Sequence, residues 1–283
     1  MNNTDQLLLS PSDLSAKRIF SYFKKAVQKK FGQNFIFDEK INSKIVSTAG
    51  DIAEKVVAEI GPGPGGLTLE ILKRNVKKLY LIELDSHWSD VWRKLSDLFP
   101  GKLEVIEKDA LGFDMATIPI DIIISNLPYN ISAQLLIKWI QVPNLCSEMI
   151  LMFQKEVADR LYASPSTKAY GRLSVLVQWI ASVTKIFDLE PGSFFPSPKV
   201  KSTLLKIIPF NYNYKMDDFY FFSHFLTYMF QHRRKSVFKP LSKFVERPEE
   251  LLVSLGYNRN TRAEEICVDH YVKILSFVKN AVL

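Results

Sequence analysis

Apolar positions fall into two regimes along this chain. Between residues 55 and 208, short β-branched runs alternate with stretches of helical spacing; beyond Pro209 the helical spacing continues alone. The runs Lys55–Ile60, Lys78–Leu84, Leu103–Glu107, Asp121–Ser125 and Glu148–Phe153 predict strands. Leu67–Arg74, Ser86–Phe99 and Ser132–Ile140 predict the helices between them, and such alternation implies a mainly parallel, doubly wound sheet. Two further runs, Ser182–Leu189 and Ser202–Ile208, flank a proline-rich stretch and can pair antiparallel at one edge. Helices are expected over Asp217–Gln231, Ser236–Phe244, Glu249–Leu255 and Asp269–Val282, which makes the carboxyl-terminal part a small all-helical domain. Pro11 to Lys30 reads as an amphipathic helix. The expected division is an extension with a basic helix over 1–30, an α/β domain over 31–209 and a helical domain over 210–283. No internal repeat is visible.

Composition narrows the class. The 283 residues, 47% of them hydrophobic, suffice for two cored domains. The apolar run Leu7-Leu8-Leu9 has no basic flank and is too short for a secretory signal core, and no stretch approaches a membrane span. Cys146 and Cys267 form no C-x-x-C pair, and the histidines (His87, His224, His232, His270) lack ligand spacing, so neither disulfides nor a metal are expected. A reducing cytoplasm is the expected home. A net charge of +7 favours an anionic partner such as nucleic acid. The charge is concentrated at Lys17-Arg18, Lys24-Lys25, Lys29-Lys30 and His232-Arg233-Arg234-Lys235, a pattern that solvated helix faces also produce.

The first strand ends in Glu59-Ile60-Gly61-Pro62-Gly63-Pro64-Gly65-Gly66, and a helix follows. Glycines in such a turn let backbone approach a ligand where side chains would block it, although a ligand-free turn looks the same. The second strand ends in Glu83-Leu84-Asp85, about 20 positions on, where a carboxylate can accept both hydroxyl hydrogens of a ribose. Asp109, after the third strand, is placed to accept from an adenine amino group; alone it would pass for a turn residue. Together these imply an adenosine-containing cofactor, and they do not separate a nicotinamide enzyme from a methyltransferase.

The fourth strand separates them. It ends in Asn126-Leu127-Pro128-Tyr129, an amide, a stiffened backbone and an aromatic ring beside the cofactor. An adenine amine is a poor nucleophile because its lone pair is delocalised into the ring. The Asn126 side-chain oxygen and the Leu127 carbonyl can accept its hydrogens and favour a more tetrahedral nitrogen. Tyr129 can stack on a flipped base, a contact worth roughly 1–3 kcal/mol. With a sulfonium donor such as S-adenosylmethionine the remaining task is in-line positioning, which needs no general base or metal.

These motifs resemble the ribosomal RNA adenine dimethyltransferase family of the KsgA type, from about Lys29 onward. Phe31-Gly32-Gln33-Asn34-Phe35-Ile36 resembles the family's entry motif, and Glu59 through Thr68 its glycine motif. Phe153–Leu161, Tyr170–Val175, Phe194–Val200, Arg233-Arg234-Lys235 and Arg262–Glu265 are similar to further family segments. The resemblance implies a Rossmann-like S-adenosylmethionine-dependent methyltransferase fold with a mainly parallel seven-stranded sheet. It implies cofactor contacts at Asn34, Ile36, Glu59, Gly61, Gly63, Glu83, Leu84, Asp109, Ala110 and Asn126. It also implies catalytic roles for Asn126, Leu127, Pro128 and Tyr129, with Phe194 beside the target base, and RNA contacts at Arg233, Arg234 and Lys235. The implied activity is dimethylation of N6 on two adjacent adenosines in the 3′-terminal hairpin of small-subunit (16S) ribosomal RNA. The implied partners are that RNA and the pre-small ribosomal subunit, met by a monomer during assembly. Pro64 departs from the family's usual apolar residue, and the first 25 or so residues have no counterpart.

Two other classes remain open on the residues alone. A factor that keeps the fold and binds nucleic acid without turnover would not need Asn126 and Tyr129. A nicotinamide dehydrogenase accounts only for the glycines and Glu83.

Overall fold

The computed structural model describes residues 10–23, 32–210, 216–232 and 235–282. Lys24-Lys25, Lys29-Lys30, Phe31, Arg233 and Arg234 lie outside the described residues. The expected amphipathic helix is described over part of its length, as a 3-10 turn at Pro11–Asp13 and α1 at Ala16–Phe23.

The chain divides into two compact units. The first comprises Met1–Lys155 and Thr184–Pro209, the second Glu156–Val183 and Phe210–Leu283. The helical unit therefore draws on residues 156–183 as well as the tail, unlike the single boundary that the sequence pattern suggested at 209/210. The reason is local: α6 (Lys155–Leu161) and α7 (Arg172–Ile180) present apolar faces, and α7 packs against α8 (Met216–Phe230) and α11 (Val268–Val282).

The sheet carries seven strands in the order β3-β2-β1-β4-β5-β7-β6. These are β1 Val56–Ile60, β2 Lys78–Glu83, β3 Leu103–Glu107, β4 Ile122–Asn126, β5 Glu148–Gln154, β6 Ala181–Leu189 and β7 Ser202–Pro209. The first five pair in parallel, and β7 runs antiparallel to β5. Central β1, β4 and β5 are almost wholly buried, as mainly apolar runs covered by helices on both faces should be, whereas β3 at the edge is partly open to solvent.

Several helices start where the sequence supplies a cap. Asp38 accepts from the Lys40 and Ile41 amides to start α2 (Glu39–Ser47), and Asp85 accepts from the His87 amide to start α4 (Ser86–Leu95). Helix α4 is shorter than its apolar spacing predicted, because the chain tightens into a 3-10 turn at Ser96–Leu98 before Pro100. The helix expected over Ser236–Phe244 shrinks to α9 (Phe238–Leu241) because Ser236 forms an isolated bridge with Arg262, and its hydroxyl accepts from the Phe238 amide at 3.1 Å. Helices α3 (Gly66–Leu72), α5 (Ser132–Ile140) and α10 (Pro248–Ser254) lie close to their predicted ranges. In the helical unit, the buried Tyr170 hydroxyl donates to the Ile266 carbonyl at 2.9 Å, and Tyr271 donates to the Ala263 carbonyl at 2.8 Å.

The turn between β1 and α3 is wedged by aromatic rings. Gly65 has φ +87°, and a Cβ there would lie 2.0 Å from Trp92 Cζ2 on α4. Gly65→Ala is expected to destabilise the protein by about 1–3 kcal/mol through overpacking. Urea unfolding checks this: the midpoint should fall at constant slope, and an unmoved midpoint would mean that the Trp92 ring yields freely.

Candidate active site

Strand order reverses between β1 and β4, which pair in parallel through Val57–Ile122 and Ala58–Ile123. Loops leaving the carboxyl ends on either side of such a reversal diverge and leave a crevice. Here the crevice has a volume of about 250 Å³, and its walls come from residues 32–36, the glycine turn, Glu83-Leu84, Asp109–Leu111 and Asn126–Pro128. Every residue expected to touch a cofactor lines it: Asn34, Ile36, Glu59, Gly61, Gly63, Glu83, Leu84, Asp109, Ala110 and Asn126.

The glycine turn is held from several sides. The Gly61 amide donates to the Ile82 carbonyl at 2.9 Å, and the Gly63 carbonyl accepts from Trp92 Nε1 at 2.8 Å. The expected reason for its glycines needs amending. At Gly63, with φ +52°, a Cβ would sit 2.5 Å from Phe35 Cε1, so protein rings fill the space beside Gly63 and Gly65. Gly61 is more open, with the nearest atoms of Pro128 at 4.0 Å.

Two buried carboxyl groups stand beneath the turn. Glu83 accepts from the Gly63 amide at 3.2 Å and from the Asp85 amide at 2.8 Å. Burial pushes its carboxyl up to about 7, against the lowering effect of those amides. Glu59 accepts from the Thr68 hydroxyl at 2.7 Å. Burial pushes it up to about 8; the Thr68 bond opposes this and the charge of Glu83 adds to it. Across the crevice, Asp109 is exposed, and its Oδ1 accepts from the Leu111 amide at 2.9 Å, an Asx turn that leaves the second oxygen available. Half-exposed Leu84 offers an apolar wall nearby.

Asn126 is oriented by the entry segment. Its Nδ2 donates to the Asn34 carbonyl at 2.7 Å, while Asn34 Nδ2 donates to the Gly32 carbonyl at 2.9 Å. The Asn126 donor is thereby committed, and no donor among the described residues takes its Oδ1. Leu127 and Pro128 continue the wall.

Phe194 is placed differently from the expectation, and Tyr129 lies in the chain between two lining residues, Pro128 and Asn130, without lining the crevice itself. The Tyr129 hydroxyl lies 2.5 Å from Ser202 Oγ at the start of β7. Phe194 is 5% exposed and packs in the core, so its ring has no open face for a base; its neighbour Phe195 is 48% exposed. The apolar core captures one ring of the Phe-Phe pair, and the sequence carries no mark of which. Lys235 is exposed in the helical unit, and Arg233 and Arg234 lie outside the described residues.

Two supporting residues, Lys138 and Asn42, escaped sequence reasoning, and a third, Gln33, was met only as part of the entry motif with no role of its own. Lys138 on α5 donates to the Leu111 carbonyl at 2.7 Å and the Phe113 carbonyl at 2.6 Å, bracing the loop that bears Asp109. Asn42 is buried and donates to the Ile36 carbonyl at 3.0 Å, and Gln33 donates to Asp85 at 3.2 Å. Only the lone cation of α5 and a polar residue on the inner face of α2 could have signalled the first two. Among the described residues no group of His, Cys, Asp and Glu is arranged to hold a metal ion, and no helix is long and apolar enough to cross a membrane.

Comparison with known proteins gives consistent matches. The family described as "Ribosomal RNA adenine dimethylase" matches residues 24–280. The chain is 41% identical over 258 residues to "Ribosomal RNA small subunit methyltransferase A" of Ehrlichia canis (strain Jake), covering 89% of this chain and 97% of that relative. It is 38% identical over 256 residues to the protein of the same name from Rhodospirillum rubrum, covering 90% and 88%. Among solved structures, a dimethyladenosine transferase from Plasmodium falciparum superposes with a TM-score of 0.76 at 28% identity, covering 87% of this chain and 98% of that one. The 23S rRNA methyltransferase ErmE superposes with a TM-score of 0.69 at 20% identity, covering 87% of this chain and 100% of that one, which establishes a shared fold.

The buried acids predict a pH signature. Both folded-state values lie above the ordinary 4.5, so their contribution to stability is complete below that value and is lost as pH rises through about 7 and about 8. The thermal midpoint of the ligand-free protein should therefore fall from about pH 5 to about pH 8, and Glu59→Gln, which keeps an acceptor for Thr68, should flatten the fall. Parallel profiles for the two proteins would refute the assignment to Glu59.

Proposed function

The chain belongs to the ribosomal RNA adenine dimethylase family, and on that premise we propose that it uses S-adenosylmethionine to dimethylate N6 of two adjacent adenosines in the 3′-terminal hairpin of small-subunit ribosomal RNA. The observation that carries this reading is the fixed amide of Asn126. With Nδ2 bound to the Asn34 carbonyl, Oδ1 is left as an acceptor at the crevice, as an incoming amine requires.

The crevice residues fit an adenosine-bearing sulfonium. Glu83, fixed by two backbone amides, keeps lone pairs for ribose hydroxyls; Leu84 supplies an apolar wall for a purine; the second oxygen of Asp109 accepts from its amino group. S-adenosylmethionine supplies a methyl carbon already activated by the sulfonium charge. The protein's part is to align the amine: Asn126 Oδ1 and the Leu127 carbonyl accept its hydrogens and favour a more tetrahedral nitrogen, which withdraws its lone pair from conjugation with the ring. Orientation of this kind lowers the entropy cost of reaching the line of transfer. As the N–C bond forms the S–C bond breaks with its electron pair left on sulfur, and the methylated nitrogen, cationic and strongly acidic, releases its proton to water without a dedicated base. Tyr129, its hydroxyl held by Ser202, is assigned to stack on the target base. We assign phosphate binding to Arg233, Arg234 and Lys235, and place the reaction in the cytoplasm, on pre-small subunits, by a monomer.

Methyl transfer from labelled S-adenosylmethionine to unmodified small subunits, with mass spectrometric mapping of the modified adenosines, tests the reading. Cofactor binding without incorporated label would make the protein a binding factor instead. Asn126→Ala should lower turnover about 10²–10³-fold, as loss of an oriented transition-state partner does, while RNA affinity stays within about threefold because phosphate contacts lie elsewhere. Equal losses in both would contradict that division of labour. Replacing Arg233, Arg234 and Lys235 with Gln should weaken RNA binding and flatten its dependence on salt; an unchanged slope would put the RNA on another surface.

A further inference from the structure

Residues before 24 lie outside the region matched by the family, yet α1 is built into the first unit. Ile19 is fully buried, and Leu14 and Ala16 are nearly so. Beside Ile19, the ring of Phe20 packs on Phe35, Phe37, Trp88 and Phe195, with centroids 5.8, 5.3, 6.2 and 5.7 Å away.

Phe35 connects this cluster to the crevice. Its ring fills the space beside Gly63, where an added Cβ would meet it at 2.5 Å. Its backbone exchanges two hydrogen bonds of 2.8 Å with Phe195. The preceding residue, Asn34, holds Asn126 through its carbonyl, and Asn34, Phe35 and Ile36 all line the crevice. The inner side of the Phe35 ring thus faces the glycine turn, and Phe20 packs on the same ring from α1. A segment with no regular structure of its own, residues 36–38, follows before α2. Its placement depends on side-chain packing more than on backbone ladders.

We propose that Phe20, on a helix outside the family-matched region, is a positioning residue for cofactor binding: it seats Phe35 against the glycine turn and so holds one wall of the crevice. The proposal rests on reading the crevice as the S-adenosylmethionine site. Packing that prepays the ordering of a binding segment raises affinity without new ligand contacts. Loss of Phe20 should therefore raise the cofactor's Kd and KM and spare the chemical step once the site is filled.

Titration calorimetry of the full chain with S-adenosylhomocysteine, together with methyl-transfer kinetics, tests this. Phe20→Ala is expected to weaken binding about tenfold and raise the cofactor KM in step, with kcat within about twofold of wild type. Phe20→Leu, which refills most of the space, should restore Kd to within about threefold. Val76→Ala, at a fully buried core position, is the control for general destabilisation and should lower the thermal midpoint while leaving Kd unchanged. Unchanged binding by Phe20→Ala beside normal wild-type binding overturns the proposal. If Phe20→Ala does not fold, Phe20→Val, which removes the ring and keeps part of its bulk, takes its place: a severalfold weaker Kd is expected, and wild-type affinity there overturns the proposal. Failure of the wild-type protein itself to bind S-adenosylhomocysteine would instead overturn the reading of the crevice on which this proposal stands.

Discussion

Parallel pairing of β1 with β4 is the constraint on which the remainder of the first unit depends. Val57 opposite Ile122 and Ala58 opposite Ile123 put the ends of two strands side by side. The strand order runs β3-β2-β1 on one flank and β4-β5-β7-β6 on the other. Loops from adjacent ends turn to opposite faces at such a reversal, so the glycine turn and Asn126 face one crevice although about 65 residues separate them. The apolar side chains of β1 and β4, buried on both faces of the sheet, are the driving term for this pairing.

Burying acids at that crevice has an energetic cost that the fold offsets with backbone donors. Glu83 receives two amides and Glu59 one hydroxyl, yet both carboxyls remain raised because burial outweighs these bonds. Such sites are poised to accept a ligand's hydrogen-bond donors, since a buried carboxylate gains most from a partner that water cannot supply. The same low-dielectric setting strengthens the bond between Asn126 and the Asn34 carbonyl, which selects one of the two ways the amide could face.

Aromatic rings supply the rigidity that a glycine-rich turn lacks. Trp92 occupies the space beside Gly65 and donates to the Gly63 carbonyl, while Phe35 occupies the space beside Gly63. The glycines are needed here as much for close packing of protein on protein as for the approach of a ligand. A turn with few backbone bonds of its own is thereby held in one conformation, and Phe20 extends the same packing onto a helix beyond the family-matched region.

The linear pattern by itself determined the alternating strands and helices, the helical tail, and most of the membership of the crevice. The glycine turn, Glu83, Asp109 and Asn126 follow strand ends, a local feature that spacing and residue type record, whereas Asn34 and Ile36 were expected at the crevice from the family resemblance alone. Its strand boundaries were correct to within a residue or so because unbroken β-branched runs end at turn formers. Only the tertiary structure decided which aromatic rings face outward. Phe194 is buried and Phe195 exposed, and Tyr129 turns its hydroxyl to Ser202, because those directions follow from packing between segments far apart in the chain. The tertiary structure alone also decided that residues 156–183 join the helical unit, that Lys138 braces the loop bearing Asp109, and that the side chains absent from Gly63 and Gly65 are replaced by Phe35 and Trp92. Close packing fixes each of these, and it depends on the shapes of partners brought together by the fold, which no spacing along one chain encodes.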